Sequence, residues 1–446
     1  MDYEELYKKY IKLLEENERL MNENANFKIQ LGLAFLVYGN KARAVQAEQD
    51  LSDQFKGHEK VTNSSSPQDK INLFMSLFRG RDDVYAKRWQ NKVGKSGYSP
   101  VCLNEWVNGI CSKPKIKCSD CANRNYAVLD FAAIDSHLRG KAVLGIYPML
   151  LDETCYFLAM DFDDEGWQKD VSVLRDICNA KDIPFAIERS QSGNGAHVWF
   201  FFKEQISAAT VRKFGTLLLT HAMSKRHEIK FSSYDRLFPN QDTFPKGGFG
   251  NLISLPLQSA ARKNSNSVFI DENFQPYSDQ WNFLSTIRRL DEEEIERYIS
   301  HLGISNELGD LRQIENEEIK PWEKQRIDNH LSQNDIPNTI NITKANMLYI
   351  QKNGFSNKAL NIIKRLAAFR NPDFYKAQAM RLPTFDKPRI ISLSDETPDY
   401  LCLPRGCEPD LVNLFNTMKA NIEWADETFS GKLIKVQFNG QLRNVL

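Results

Sequence analysis

Residues 155–167 read CYFLAMDFDDEGW. The apolar run from Cys155 to Met160 has the length of one buried strand. Side chains alternate along a strand, so Asp161 and Asp163 share a face and Phe162 takes the other. Two carboxylates on one face, where a buried strand ends, form a hard-oxygen site. Such a site suits Mg2+ or Mn2+ bound together with substrate phosphates. The same letters also describe a solvated strand end, and nucleases, glycosyltransferases and helix caps all use DxD. Asp164 and Glu165 stand where they would cap the next helix, in which Val171, Leu174 and Cys178 keep helical spacing.

Downstream, IPFAIERS, QSGNG and AHVWFFF (183–202) read as strand, tight turn and strand. Ser190, Ser192, Gly193 and Gly195 line the turn, and the glycines let backbone approach a phosphate. Alternation puts His197 and Trp199 on one face. The turn has the makings of a triphosphate cradle. Taken alone, a glycine-rich hairpin with one buried, hydrogen-bonded histidine is the commoner meaning of these residues. A helix with Val211, Phe214 and Leu218 follows, then KFSSYDRLFPNQDTFPKGGFG (230–250). Asp235 is expected as a third carboxylate, because a two-metal site usually takes three or more acids. Asp242 reads as a turn residue. Arg262 and Lys263, just after the SLPLQ strand, are candidates for phosphate or template contact.

Upstream, Cys102, Cys111, Cys118 and Cys121 follow C-x8-C-x6-C-x2-C, enough thiolates for a tetrahedral structural Zn2+. The βαβ frame of a redox pair is missing. Lys113, Lys115, Lys117 and Arg124 make this insert basic, consistent with a nucleic-acid phosphate contact or with a purely structural zinc. Cys155, Cys178, Cys402 and Cys407 read as buried small residues. In RGRDDVYAKRWQNK (79–92), Arg79, Arg81, Lys87 and Arg88 mix with Tyr85 and Trp89. The stretch reads either as base stacking with phosphate contact or as an amphipathic helix.

The chain has 446 residues, room for two or three domains, and is 41% hydrophobic and 26% charged. No apolar run matches a bilayer, and the polar start MDYEELYKKY is no signal peptide, so no membrane contact and a cytoplasmic location are expected. With 58 basic and 58 acidic residues, any nucleic-acid contact must come from local patches. Leu6, Leu13, Leu20 and Phe27 recur in heptads, with Tyr3, Tyr10, Asn17 and Asn24 in the second seam position. Residues 1–38 are therefore expected as a coiled-coil helix that supports a homodimer or a partner. The alternative is a lone amphipathic helix packed on the body. A linker is expected over 39–70, a folded domain over 71–303 with the cysteine insert at 98–126, a connector over 304–322 and a C-terminal module over 323–446. That module reads as helix in NIIKRLAAF and as strands in RIISLS, YLCLP and LIKVQF.

In order, DFD at a strand end, SGNGAH in a hairpin and YD before a second apolar strand resemble the archaeo-eukaryotic primase superfamily. FRGRDDVYAKRW, YSPVCLNEWVNGICSKPKIKCSDCANR, IERSQSGNGAHVWFFF and YDRLFPNQDTFPKGGFGNLISLPLQ narrow the resemblance. It is to the primase domain of TOTE conflict systems and of CRISPR-associated primase-polymerases, over about 75–300. The resemblance implies an α+β fold, with an RRM-like sheet carrying the acids beside a smaller α/β unit. It also implies a DNA primase-polymerase that joins nucleoside triphosphates on a DNA template or primer. Asp161, Asp163 and Asp235 would hold two Mg2+ or Mn2+ ions, and His197 the triphosphate. FYKAQAMRLPTFDKPRIISL, YLCLPRG and FNGQLR resemble the region that precedes a superfamily 2 helicase. The chain has no GxxxxGK[ST] loop, so a helicase would act from a longer version of this chain or from another polypeptide. Two rivals stand beside this reading: a metal-dependent nuclease using the same acids, and a zinc-stabilised DNA-binding scaffold that recruits a helicase.

Overall fold

The computed structural model describes residues 60–302 except 117 and 164, residues 331–431, and residues 19, 308, 435, 437 and 440. The heptad seam positions, the linker up to residue 59, the 304–322 connector except Leu308, and most of LIKVQF and FNGQLR lie outside them. Residues from Thr62 onward form one compact unit.

Helix α1 (Pro67–Leu77) opens the described fold. It starts inside the stretch expected as linker, because Ser66 caps it by accepting from the Asp69 amide and Pro67 fits its first turn. Next come β1 (Ala86–Gln90) and β2 (Ser96–Pro100), an antiparallel hairpin. The helix alternative for this stretch is thereby corrected: Trp89 and Tyr98 favour strands, and Gly94, at φ +85°, makes the turn. Helix α2 (Phe131–Leu138) and β3 (Leu144–Ile146) lead to β4 (Thr154–Phe162), the strand that ends in the acids. Then follow α3 (Trp167–Ala180), β5 (Ala186–Arg189), β6 (Ala196–Ser207) and α4 (Ala208–Lys225). The N-cap of α3 is Gly166 at φ +88°, with no side-chain cap, so Glu165 does not take the expected capping place. After α4 come β7 (Leu237–Phe238), β8 (Ile253–Ser254), the short α5 (Ser259–Arg262), β9 (Val268–Phe269), α6 (Gln280–Ser285) and α7 (Glu292–Leu302).

These strands make two sheets, β2-β1-β3-β8 and β7-β4-β6-β5-β9, both antiparallel throughout. Alternation divides the second sheet cleanly. Leu158, Met160 and Phe162 of β4, with Val198, Phe200 and Phe202 of β6, join the main core under Val171 and Leu174 of α3 and Phe214 and Leu218 of α4. On the other face Phe78, just past α1, meets Trp199 edge-on at 5.0 Å and Phe201 at 5.3 Å. That face is apolar beneath Phe78 and turns polar toward the end of β4.

A second core lies in the C-terminal module, under a sheet ordered β14-β15-β11-β10-β16. Its elements are β10 (Thr339–Lys344), β11 (Leu348–Gln351), α8 (Asn357–Arg365), β12 (Ala368–Arg370), α9 (Pro372–Ala379), β13 (Ile390–Ser392), β14 (Asp395–Glu396), β15 (Tyr400–Leu403), α10 (Glu408–Asn416) and β16 (Asn421–Asp426). Among the described strands of this sheet, only β10 and β16 pair in parallel.

The module is tied to the core by charge. Glu396 accepts from His227 Nε2 of the core at 2.9 Å, from Lys364 at 3.1 Å and from Lys352 at 3.0 Å. Burial opposes this carboxylate, but the His227 bond and the two ammonium groups outweigh it and hold its pKa well below the usual range. A depressed folded pKa gives stability that is fully present above the unfolded value and is lost progressively as pH falls from there through the folded one. Glu396→Gln is therefore expected to lower the urea midpoint by the same margin at pH 7 and at about pH 5. The margin should shrink progressively as pH falls below about 4. A margin already gone at pH 5 would contradict the network.

Candidate active site

One row across the second sheet gathers the chemistry. Strand register sets Glu188 of β5 opposite His197 of β6, and His197 opposite Asp161 of β4. The Asp161 amide donates to the Arg236 carbonyl at 3.0 Å, which extends the row to the start of β7. The row thus runs Glu188, His197, Asp161, Arg236, alternating in charge when the imidazole is protonated.

Glu188 is 1% exposed. Its Oε2 lies 2.9 Å from His197 Nδ1 and accepts from Trp199 Nε1 at 3.0 Å. His197 and Trp199 thus share a face, as alternation demands. His197 Nε2 stands 3.6 Å from Asp161 Oδ1. Burial works against the imidazolium, yet Glu188 first, then Asp161 and Asp163, more than offset it and raise the His197 pKa. Burial pushes Asp161 up as well; His197 and Arg236 pull it back only in part.

Asp163 lies just past β4 and is half exposed. The Arg236 guanidinium spans both acids, 3.4 Å from Asp161 Oδ2 and paired with Asp163 Oδ1. A cation of the protein itself stands between two carboxylates, the charge arrangement a hard divalent ion would also satisfy. The pair therefore fits such an ion, with its other positions left to water and phosphate oxygens.

The expected third acid is not brought to this pair. Asp235 ends a 3-10 turn (Phe231–Asp235), and among the described residues it joins no group of three metal-binding side chains. Its carboxylate accepts from the Arg389 amide of the C-terminal module at 2.9 Å, and burial raises its pKa. Asp242 is more than a turn residue: it pairs with Arg212 of α4 and accepts from Gln378 Nε2 at 2.9 Å.

The turn between β5 and β6 is closed by Ser190 and Gly193 backbone bonds, and the Ser190 and Ser192 hydroxyls lie 3.1 Å apart. Its glycines pack closely against the protein. Gly193 has φ +81°, and a Cβ there would lie 2.7 Å from Asn266 Oδ1. A Cβ on Gly195 would lie 2.5 Å from the Phe162 carbonyl and 3.0 Å from Asp163 Cα. Gly195→Ala must therefore push the backbone that carries the acids. It is expected to cost about 1–3 kcal/mol in unfolding free energy and to lower any activity of Asp163 well beyond that of a surface control. An alanine variant with full activity and stability would contradict this packing.

Arg262 and Lys263 stand apart from the row. Arg262, half-buried at the end of α5, lines a cavity with Lys70, Asp135, Arg139 and Trp281, and burial lowers its pKa. Lys263 is exposed. The four cysteines Cys102, Cys111, Cys118 and Cys121 are free thiols that line one cavity. The Asn125 amide donates to Cys102 Sγ at 3.4 Å, and Lys113, held by Glu105 at 2.6 Å, also reaches Cys118. Four thiols with nearby N–H donors fit a zinc ion chemically. Among the described residues, however, no three metal-binding side chains gather as a ready coordination shell, at the cysteines or at the acids. Cys155, Cys178, Cys402 and Cys407 are buried.

Sequence reasoning missed Glu188 and Arg236. A signal for Glu188 was there: a hairpin centred on Ser192 and Gly193 pairs it with His197. Arg236 had none, because its role rests on the register of a two-residue strand.

The profile of the TOTE conflict system archaeo-eukaryotic primase domain matches residues 69–298, just over half of the chain. The chain belongs to that family. This TOTE-type primase domain covers both sheets and the whole row, and the family places the chain among primase-polymerase nucleotidyltransferases in general. Among solved structures, the polymerase domain of Mycobacterium tuberculosis ligase D in complex with DNA is similar over 53% of this chain and 88% of its own, at 15% identity and a TM-score of 0.27. No curated protein matches the chain. Among the described residues, no helix of the TOTE-type protein is long and apolar enough to cross a membrane.

Proposed function

We propose that the chain is a template-directed DNA primase-polymerase, joining nucleoside triphosphates on a DNA template with Mg2+ or Mn2+ held by Asp161 and Asp163. The observation that carries this reading is the row Glu188, His197, Asp161, Arg236 beside Asp163. Divalent ions at the two acids supply charge neutralisation at the reacting phosphate and a lower pKa for the attacking hydroxyl. His197, kept cationic by Glu188, binds phosphate oxygens and transfers no proton. Ser190, Ser192 and Gly193 shape the turn beside it. Arg236 balances the acids and is placed to contact an anionic substrate. Asp235 acts from behind: tied to the Arg389 amide, it holds the loop that presents Arg236. This gives Asp235 a positioning role in place of direct metal binding. Arg262 and Lys263 bind nucleic-acid phosphate in this reading, away from the row.

The test is incorporation of labelled nucleotides on single-stranded DNA with Mg2+ or Mn2+, with and without a primer. Product without primer establishes a primase; product only with primer, a polymerase. No product under any condition would refute the activity, and release of nucleotides from DNA would favour the nuclease.

In the same reading, residues 71–303 form the catalytic domain. Residues 1–38 serve self-association, and 323–446 lead toward a superfamily 2 helicase acting in cis or in trans, in the cytoplasm. Zinc at Cys102, Cys111, Cys118 and Cys121 is structural. Purified protein is expected to carry about one zinc per chain. Cys118→Ser should lose most of it and lower the melting temperature. Zinc-free wild-type protein of unchanged melting temperature would refute the site.

A further inference from the structure

The β1–β2 hairpin reaches away from its sheet. β1 pairs with β3 only at Ala86 and Lys87, with one more backbone bond from Arg88 to Val143, and among the described residues the tip pairs only with β2. Every residue from 87 to 96 is exposed. Within Ala86–Pro100 lie Lys87, Arg88, Lys92 and Lys95 and no acidic residue. Trp89 is 41% exposed and Val93 90% exposed. Trp89 lies over Gly97, where a Cβ would come 3.0 Å from the indole, so the ring is steadied on one side and open on the other. Lys87 and Trp89 share a face by alternation.

The root of the arm is tied to β8. Tyr98, opposite Arg88, donates to Ser254 Oγ of β8 at 3.0 Å. The neighbouring arginines differ. Arg81 is buried and paired with Asp83, and Arg79 lies over the Tyr156 ring. The arm's cations are exposed and have no acidic residue among them.

We propose that this arm is a binding site for single-stranded nucleic acid, its four cations on backbone phosphates and Trp89 stacked on a base. Charge complementarity selects a polyanion, and an indole open on one face selects unpaired bases over a duplex. The inference deepens the primase reading by naming where the unpaired strand is held, but it does not depend on any transfer chemistry.

The experiment measures binding of labelled oligothymidylate in EDTA, without nucleotide, across a salt series. Lys87→Gln/Lys92→Gln/Lys95→Gln is expected to weaken binding at least about tenfold at low salt and to lower the salt slope by about 2, at roughly 0.7 per phosphate contact. Trp89→Ala should weaken it about tenfold, while Trp89→Phe keeps most of the affinity. All changed residues are exposed, so melting temperatures should not move. Wild-type protein that ignores oligothymidylate, or variants with unchanged affinity and slope, would overturn the proposal. Equal losses on duplex DNA would overturn the stacking role. A protein that binds through the arm yet incorporates nothing would refute the proposed activity and leave this inference standing.

Discussion

Asp161→Asn is expected to abolish nucleotide incorporation, by at least about 10^3-fold, or roughly 4 kcal/mol of barrier. The change keeps the side chain's shape and removes only its charge. That charge is what the site is built around: His197 Nε2 lies 3.6 Å away on one side and the Arg236 guanidinium 3.4 Å away on the other. Folding is not what holds Asp161 ionised, since burial raises its pKa and so works against the charged form. The asparagine variant should therefore melt at or above the wild-type temperature. Asp163→Asn should behave alike in activity. Primer extension at wild-type rate by either variant would remove the acids from the mechanism. Loss of activity together with loss of fold would assign them a structural part instead.

Glu188→Ala is expected to cost about 3–5 kcal/mol in urea unfolding, the usual result of removing one partner from a buried charged pair. The carboxylate is 1% exposed and serves His197 Nδ1, Trp199 Nε1 and the Ser267 hydroxyl. Alanine leaves the His197 and Trp199 donors without this acceptor behind the row, where Glu188 is buried. Glu188→Gln keeps an oxygen and should fold better, but it removes the largest support of the His197 imidazolium. That variant is expected to raise the nucleotide KM about tenfold with a smaller change in kcat. A cost below about 1 kcal/mol for alanine would show that the row is not closed to water. An unchanged KM for glutamine would separate His197 from the triphosphate.

Most of the central sheet was legible because its signals are local. The apolar run before Asp161 becomes β4, and the glycine turn becomes the β5–β6 hairpin. Helical spacing at Val171, Leu174 and Cys178, and at Val211, Phe214 and Leu218, marks the two helices on its back. The basic stretch around Trp89 was read either as a stacking and phosphate-contact surface or as an amphipathic helix, and it folds as a strand. Its pattern is too short for periodicity to decide, and pairing with β2 decided it. The turn glycines were legible as glycines, not as contacts: only the folded chain brings the Phe162 carbonyl against Gly195.

By itself, then, the sequence determined which residues share a face: Asp161 with Asp163, and His197 with Trp199. Alternation along a strand follows from backbone geometry and needs no partner. Only the tertiary structure decided which faces meet. Glu188 stands behind His197 because two strands pair in one register. Arg236, rather than Asp235, faces Asp161 because a two-residue strand pairs in one register and not the next. A slip of one residue would exchange them. That register is held by contacts far away in sequence, such as the Arg389 amide on Asp235 and Gln378 and Arg212 on Asp242. Long-range contacts of this kind leave no periodic trace along the chain, which is why the third position of the site became visible only in the fold.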